Sequence, residues 1–315
     1  MKQGKIIIIP DVHGRTFWKE AAERFPGERF VFLGDYLDPY DFDAIYYKIT
    51  PESTIENFRE IIAFKKENPD RVTLLLGNHD CEYMYGKDVC NCRCDHRNYA
   101  RIQELFRENK DLFKLADEAF LGGKHFVFVH AGIQIGWMEK HIKGWKVDNL
   151  VKKLNDINRH ALSMDHPECT SFAAALAEAD KERGGEFDYG SPIWADAEMM
   201  NEGYQLSDII QVVGHSSIHF YGPVITPNVI YTDCGKALYL GERGALYYLD
   251  GKRCKNEHGD PFHPDPSPYE SDKLFDFDAF HRPFCRSCGS HNIHIRAGMM
   301  VDHWYCQDCH KDQFL

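Results

Sequence analysis

Nine polar residues with donor chemistry recur at the ends of short apolar runs. They are Asp11 and His13 in "DVHG", Asp35 and Asp38 in "GDYLD", Asn78, His79 and Asp80 in "GNHD", His130 in "VHAG" and His215 in "GHSS". Taken alone, an Asp-x-His after a strand is an ordinary capping turn, and a Gly-Asn-His-Asp an ordinary loop. Five such groups in series point instead to one cleft lined with carboxylates, imidazoles and an amide oxygen. Oxygen and nitrogen donors without thiolate suit Mn, Fe or Zn rather than soft Cu(I). A single cation with an open position has little use for five protein ligands, whereas two cations sharing a carboxylate use them fully.

The elements that must carry these residues are readable as apolar strands. Lys5–Ile9, Phe30–Leu33, Val72–Leu76, Phe126–Val129, Ile210–Val213 and Val229–Tyr231 are predicted strands, and all but the last lead directly into the donor groups. Helical patterns lie between them. Thr50 is a candidate N-cap with Pro51 at the first helical position, and Ile55, Phe58, Ile61 and Ile62 form one apolar stripe. Residues 98–116 repeat the pattern through Ile102, Leu105, Phe106 and Phe113, and residues 137–185 read as a mostly helical, polar cap or outer layer. Alternating strands and helices predict an α/β fold, in which ligands bind beyond the carboxyl ends of the strands.

At 315 residues the chain has room for one large domain with a small appendage. With 37 basic against 49 acidic residues, the net charge of −12 argues against a broad nucleic-acid or membrane surface. Ile6–Ile9 is too short for a secretory core and no run reaches membrane-spanning length, so the expected location is cytoplasmic, with no membrane partner. There, eleven cysteines are expected to be metal ligands or reduced thiols rather than disulfides.

"DVHG", "GDYLD", "GNHD", "VHAG" and "GHSS", in this order, resemble the calcineurin-like metallophosphoesterases over about residues 5–250. "VHAGI", "SPIWAD" and "VIYTDCGKALYLGERGALYYLDG" bring the chain closest to the bacterial phosphoprotein (Ser/Thr-type) phosphatases. The resemblance implies a β-sandwich flanked by helices, in an α/β/β/α arrangement, as a catalytic domain over residues 1–250. It implies that Asp11 and His13 hold one metal, that Asp35 bridges to a second, and that Asn78, His130 and His215 complete that second site. A metal-bridging hydroxide would be the nucleophile, His79 the general acid, and Asp38 the group that orients its ring; a direct metal-ligand role for His79 is the alternative. The implied substrate is a phosphomonoester, on protein or on a small molecule, with dinucleoside polyphosphates or other nucleotides as the alternative. A metal-stabilised binding protein without catalysis is the rival outside enzymes. Where the phosphatase branch continues with Arg-Gly after Asp38, this chain has Pro39-Tyr40, so the phosphate clamp is sought at Arg15, Arg97 or Arg183. His219, four residues past His215, is an outer candidate.

Beyond residue 250 the texture changes. Residues 251–280, with "NEHGDPFHPDPSPYESD", read as a linker or wrapped extended segment. Residues 281–315 hold Cys285, Cys288, Cys306 and Cys309 at zinc-ribbon spacing, which predicts one structural zinc stapling a tail too short for its own core. The ribbon is the one region expected to be able to touch nucleic acid. Cys81, Cys90, Cys92 and Cys94 are read as part of an inserted hairpin at the rim of the active site, with a third metal site as the alternative. Cys169, Cys234 and Cys254 are expected to be buried thiols.

Overall fold

The computed structural model describes residues 4–86, 92–162, 167–197, 200, 206, 208–218 and 222–255, together with the backbone of 293–296, 303–306 and 312–314. The chain divides into two compact units, Met1–His263 and Pro264–Leu315.

In the larger unit, β1 (Ile6–Ile9) is four isoleucines, all buried. Each contributes about 1.5–3 kcal/mol relative to an exposed side chain, so the strand that ends at Asp11 is firmly seated. After it come α1 (Phe17–Arg24), β2 (Arg29–Phe32), α2 (Asp41–Tyr46), α3 (Pro51–Glu67), β3 (Val72–Leu75), α4 (Asn78–Tyr85), α5 (Tyr99–Glu108), β4 (Phe113–Lys114), β5 (Ala116–Leu121) and β6 (Lys124–Val129). The helices α6 (Ile135–His141), α7 (Leu150–Leu162) and α8 (Pro167–Leu176) precede β7 (Ile210–Val213), β8 (Val224–Ile225), β9 (Val229–Tyr231), β10 (Leu238–Leu240) and β11 (Leu246–Tyr248).

Two sheets form. One has the order β11-β10-β1-β2-β3-β4, parallel from β1 through β4, with β10 antiparallel to β1 and β11 antiparallel to β10. The other has the order β5-β6-β7-β9-β8, with β6, β7 and β9 parallel. Helices flank both. Trp18 of α1 and Phe58 and Phe64 of α3 meet Phe30 and Phe32 on the first sheet and Tyr36 in the loop past β2. Asn155 of α7 closes on the main chain of Leu115 and Ala116 at the second. This mixed α/β arrangement of two sheets and flanking helices is the one that the motifs implied.

The expected start of α3 is present in detail. Thr50 Oγ1 accepts the Ser53 N–H at 3.1 Å, Ser53 Oγ accepts the Thr50 N–H at 2.8 Å, and Pro51 opens the helix. The helix expected over 98–116 is shorter than its apolar pattern. It ends at Glu108, where the Asn109 side chain donates to Leu105 O at 2.7 Å, and Phe113 belongs to β4. Phe113 still packs on Tyr36, Phe58 and Phe106, so one apolar pattern served a helix and then an edge strand of the same core. No helix among the described residues is long and apolar enough to cross a membrane.

In the smaller unit, β12 (Ile293–Arg296), β13 (His303–Cys306) and β14 (Asp312–Phe314) form an antiparallel sheet with β13 in the middle. Cys306 ends β13, whereas Cys285, Cys288 and Cys309 lie outside the described residues, as do His219, Cys90, the Cys169 side chain and most of the expected linker.

Candidate metal centre

The strand ends bring the expected donors together. Among the described residues, five non-glycine residues adopt positive φ, and four of them are His13 (44°), Asp35 (51°), Asp38 (56°) and His215 (64°). Each lies in a turn just past a buried strand, a costly conformation that collects where side chains must be aimed. The motif glycines make room for the carboxylates. A Cβ on Gly77 would lie 2.1 Å from Asp35 Oδ1, and one on Gly214 would lie 2.1 Å from Asp11 Oδ1.

Asp35 stands between two groups of donors, Asp11–His13–Asp35 and Asp35–His130–His215, each with its ligand atoms within 4.8 Å of one another. In the first group, His13 Nδ1 faces Leu37 O at 2.8 Å and Asp38 O at 3.1 Å, which places its proton there. Its Nε2 lone pair therefore points at Asp35 Oδ2, 3.5 Å away. Burial pushes His13 down to about 3, so the ring is neutral and able to ligate. Burial, with Asp233 and Asp35 nearby, pushes Asp11 well above the usual carboxylate range, although the His215 N–H donates to both its oxygens at 3.0 Å.

The second group shows the clearer signature of a cation. His130 Nδ1 donates to Leu33 O at 2.8 Å, so Nε2 is a bare lone pair. That nitrogen lies 3.0 Å from Asn78 Oδ1, 3.2 Å from His215 Nδ1 and 3.6 Å from Asp35 Oδ2. His215 Nδ1 is also 3.0 Å from Asn78 Oδ1. At most one proton, on His215, is available to this crowd of acceptors. A positive ion relieves that repulsion, and the nitrogen and oxygen donors present fit one. Burial lowers both His130 and His215, and Arg183 lowers His215 further. Asp35 stays below its usual value despite its burial, because His130, His79 and His13 surround it.

His79 lies beside this pair of groups, its ring edge-on to His13 at 5.2 Å. Its Nδ1 is 3.2 Å from Asp38 Oδ2, while Asp38 Oδ1 accepts the Tyr83 hydroxyl at 2.6 Å. Burial opposes the charged ring, but Asp35 and Asp38 together raise His79 above its ordinary value. A buried imidazole whose charged form is favoured by a fixed carboxylate is suited to deliver a proton.

Asp80, grouped by sequence with the donors, faces elsewhere. Its Oδ2 accepts the N–H groups of Asp35 at 2.7 Å and Gly77 at 2.9 Å, and its Oδ1 that of Tyr36 at 3.0 Å. It braces the loops that carry Asp35 and Asn78, and burial and Asp35 push it up to about 8.

The three candidate arginines are spread apart. Arg15 is buried, donating to Asp11 O at 2.7 Å and lying 3.8 Å from both Asp43 and Asp233. Arg97 is exposed in the turn before α5. Arg183 pairs with Asp196 at 2.6 Å and donates to Ser216, next to His215. The spacing of motifs did not single out Arg93 or Tyr83, and it brought in Cys92 only within the cysteine group expected at the rim, although all three touch motif residues. Arg93 donates to Asp38 O and Pro39 O and stacks 4.0 Å over the Tyr40 ring, which itself meets His13. The only signal in the sequence was the placing of the Cys-rich stretch directly after "GNHD".

Residues 4–219 match the family model described as calcineurin-like phosphoesterase. The chain is 32% identical over 80 residues to the serine/threonine-protein phosphatase 4 catalytic subunit of Eremothecium gossypii; the match spans 24% of this chain and 22% of that relative's length. Among solved structures, a cold-active protein-tyrosine phosphatase of a psychrophilic Shewanella species aligns with a TM-score of 0.46 and 15% identity, covering 81% of this chain and 80% of that one. A protein serine/threonine phosphatase from Saccharomyces cerevisiae aligns with a TM-score of 0.44 and 15% identity, covering 76% and 74%.

Proposed function

The chain belongs to the calcineurin-like phosphoesterase family and is a metal-dependent phosphoester hydrolase; from that premise we propose that it hydrolyses phosphomonoesters, foremost on phosphorylated protein. Asp11, His13 and Asp35 would hold one cation, and Asp35, His130 and His215, with Asn78 beside them, would hold a second, both of the Mn, Fe or Zn type. Bound there, the cations supply Lewis acidity, which neutralises phosphate charge and lowers the pKa of water. The residues of the chain do the rest. Asp38 keeps the proton of His79 on Nδ1 and the ring turned, and His79 gives its Nε2 proton to the leaving oxygen. Tyr83 fixes Asp38 in turn. Of the candidate arginines, Arg183 is best placed for phosphate, because it adjoins His215, whereas the guanidinium of Arg15 faces Asp11 O, Asp43 and Asp233.

The observation that carries this reading is the His79–Asp38 pair beside two donor groups that share Asp35. A protein substrate is supported by the likeness to a serine/threonine-protein phosphatase over 80 residues. A cytoplasmic location, a structural zinc at Cys285, Cys288, Cys306 and Cys309, and a boundary between catalytic domain and linker near residue 250 belong to the same proposal.

Phosphate release from a phosphopeptide mixture by Mn-loaded protein tests it, with Asp35→Asn as the blank. Turnover lost in the blank supports the phosphomonoesterase. Release only from dinucleoside polyphosphates would move the substrate to nucleotide anhydrides and overturn the protein-phosphatase reading.

A further inference from the structure

Past "GNHD", the chain returns to the site through Cys92-Arg93-Cys94-Asp95; Cys92 and Arg93 touch motif residues directly, and Asp95 reaches Asp38 through Tyr83. Arg93 donates to Pro39 O at 2.9 Å and to Asp38 O. The Asp95 N–H donates to the Tyr83 hydroxyl at 2.7 Å, which in turn donates to Asp38. Cys92 Sγ lies 3.3 Å from Asn78 Nδ2 and 3.4 Å from Asn78 O. A thiol has one proton to donate and lone pairs to accept with, and these two contacts use both: S–H to the carbonyl, and amide N–H to sulfur.

The oxygen and nitrogen of an asparagine amide are nearly the same size, so its neighbours decide which way it faces. On the inner side, the Nε2 lone pair of His130, 3.0 Å away, would by itself draw the NH2 group inward. That orientation would aim two N–H groups at the position of a cation. On the outer side, the Cys92 sulfur offers the NH2 group an acceptor and leaves Oδ1 facing His130 and His215. The anchors at Arg93 and Asp95 keep the sulfur from drifting away.

We infer that Cys92 is a positioning residue that holds the Asn78 amide with its oxygen inward and so sets the affinity of the Asn78–His130–His215 group for a divalent cation. The inference rests on the reading of Asn78 as a metal ligand. Partners that orient a ligand from behind commonly contribute 10–100-fold in metal affinity, and about that loss is expected here.

The test is calorimetric titration of the metal-stripped full chain with Mn2+ alone, an ion that thiolates bind poorly. Cys92→Ala should weaken one equivalent about 10–100-fold and leave the other unchanged, and Cys92→Ser should keep most of the affinity. The deciding comparison is made in Asn78→Asp, whose symmetric carboxylate cannot face the wrong way: there, adding Cys92→Ala should cost nothing. An unchanged Cys92→Ala titration would overturn the inference while leaving the metal site standing. An equal loss in both backgrounds would overturn it too, by showing that Cys92 acts through the fold. Failure of the unmodified chain to take up Mn2+ would instead sink the reading of the site itself. Should Cys92→Ala not fold, Cys92→Val fills the space without the hydrogen bonds and carries the same comparison.

Discussion

Asp38 and His79 face each other across 3.2 Å, one in the loop past β2 and the other in the first turn of α4 past the parallel β3, with the Tyr83 hydroxyl on the other oxygen of Asp38. Asp38 O also receives the His13 ring at 3.1 Å. One turn therefore orients both the proposed acid and a proposed ligand, and substitutions there should be separable by what they change.

His79→Asn should lower kcat by about 10²–10⁴ on a substrate with a poor leaving group, because a positioned acid is worth that much. Metal content should be unchanged, since the His79 ring is hydrogen-bonded to Asp38. Parallel measurement of kcat and bound metal checks this, and full activity with an alkyl phosphate would remove His79 from the role.

Asp38→Asn should move the alkaline limb of the kcat/KM pH profile to lower pH. Burial opposes the charged ring, but Asp35 and Asp38 raise His79 in the folded protein, so the protonated acid persists to higher pH than on an ordinary imidazole and is lost as pH rises through that raised value. Removing the negative charge of Asp38 takes away one of the groups that raise it. A limb that stayed in place or moved to higher pH would contradict the pairing.

Asp35→Asn should weaken Mn2+ binding at both donor groups together, by more than the hundredfold or so typical of an outer partner. Its Oδ2 lies 3.5 Å from His13 Nε2 and 3.6 Å from His130 Nε2, and among the described residues Asp35 is the one member common to both groups. Loss of only one equivalent would show that the carboxylate is not shared.

Asp80→Ala should destabilise the fold by roughly 1–3 kcal/mol, since three buried N–H groups lose their acceptor. Because those N–H groups belong to Gly77, Asp35 and Tyr36, metal affinity should fall as well. Denaturant melts with and without Mn2+ would show both effects, and an unshifted midpoint would deny the bracing role.

Much of the site was legible from residue order. A buried strand needs a run of apolar side chains, and the polar residues just past each run are conspicuous by contrast; this is how Asp11, His13, Asp35, Asn78, His130 and His215 came into view. The end of α5 was not legible, because Phe113 continues the apolar pattern into an edge strand that feeds the same core.

What the sequence determined by itself was the set of donors and the strands that carry them, because both are written in local spacing and residue type. Which atom of each donor faces inward was decided by the tertiary structure alone. His130 is turned by Leu33 O, Asp38 is held by Tyr83 and Arg93, and Asn78 is hooked by Cys92. These partners come from distant points in the chain, or from a stretch with no periodicity, and a hydrogen bond between them exists only once the two sheets and the returning loop have closed around the site.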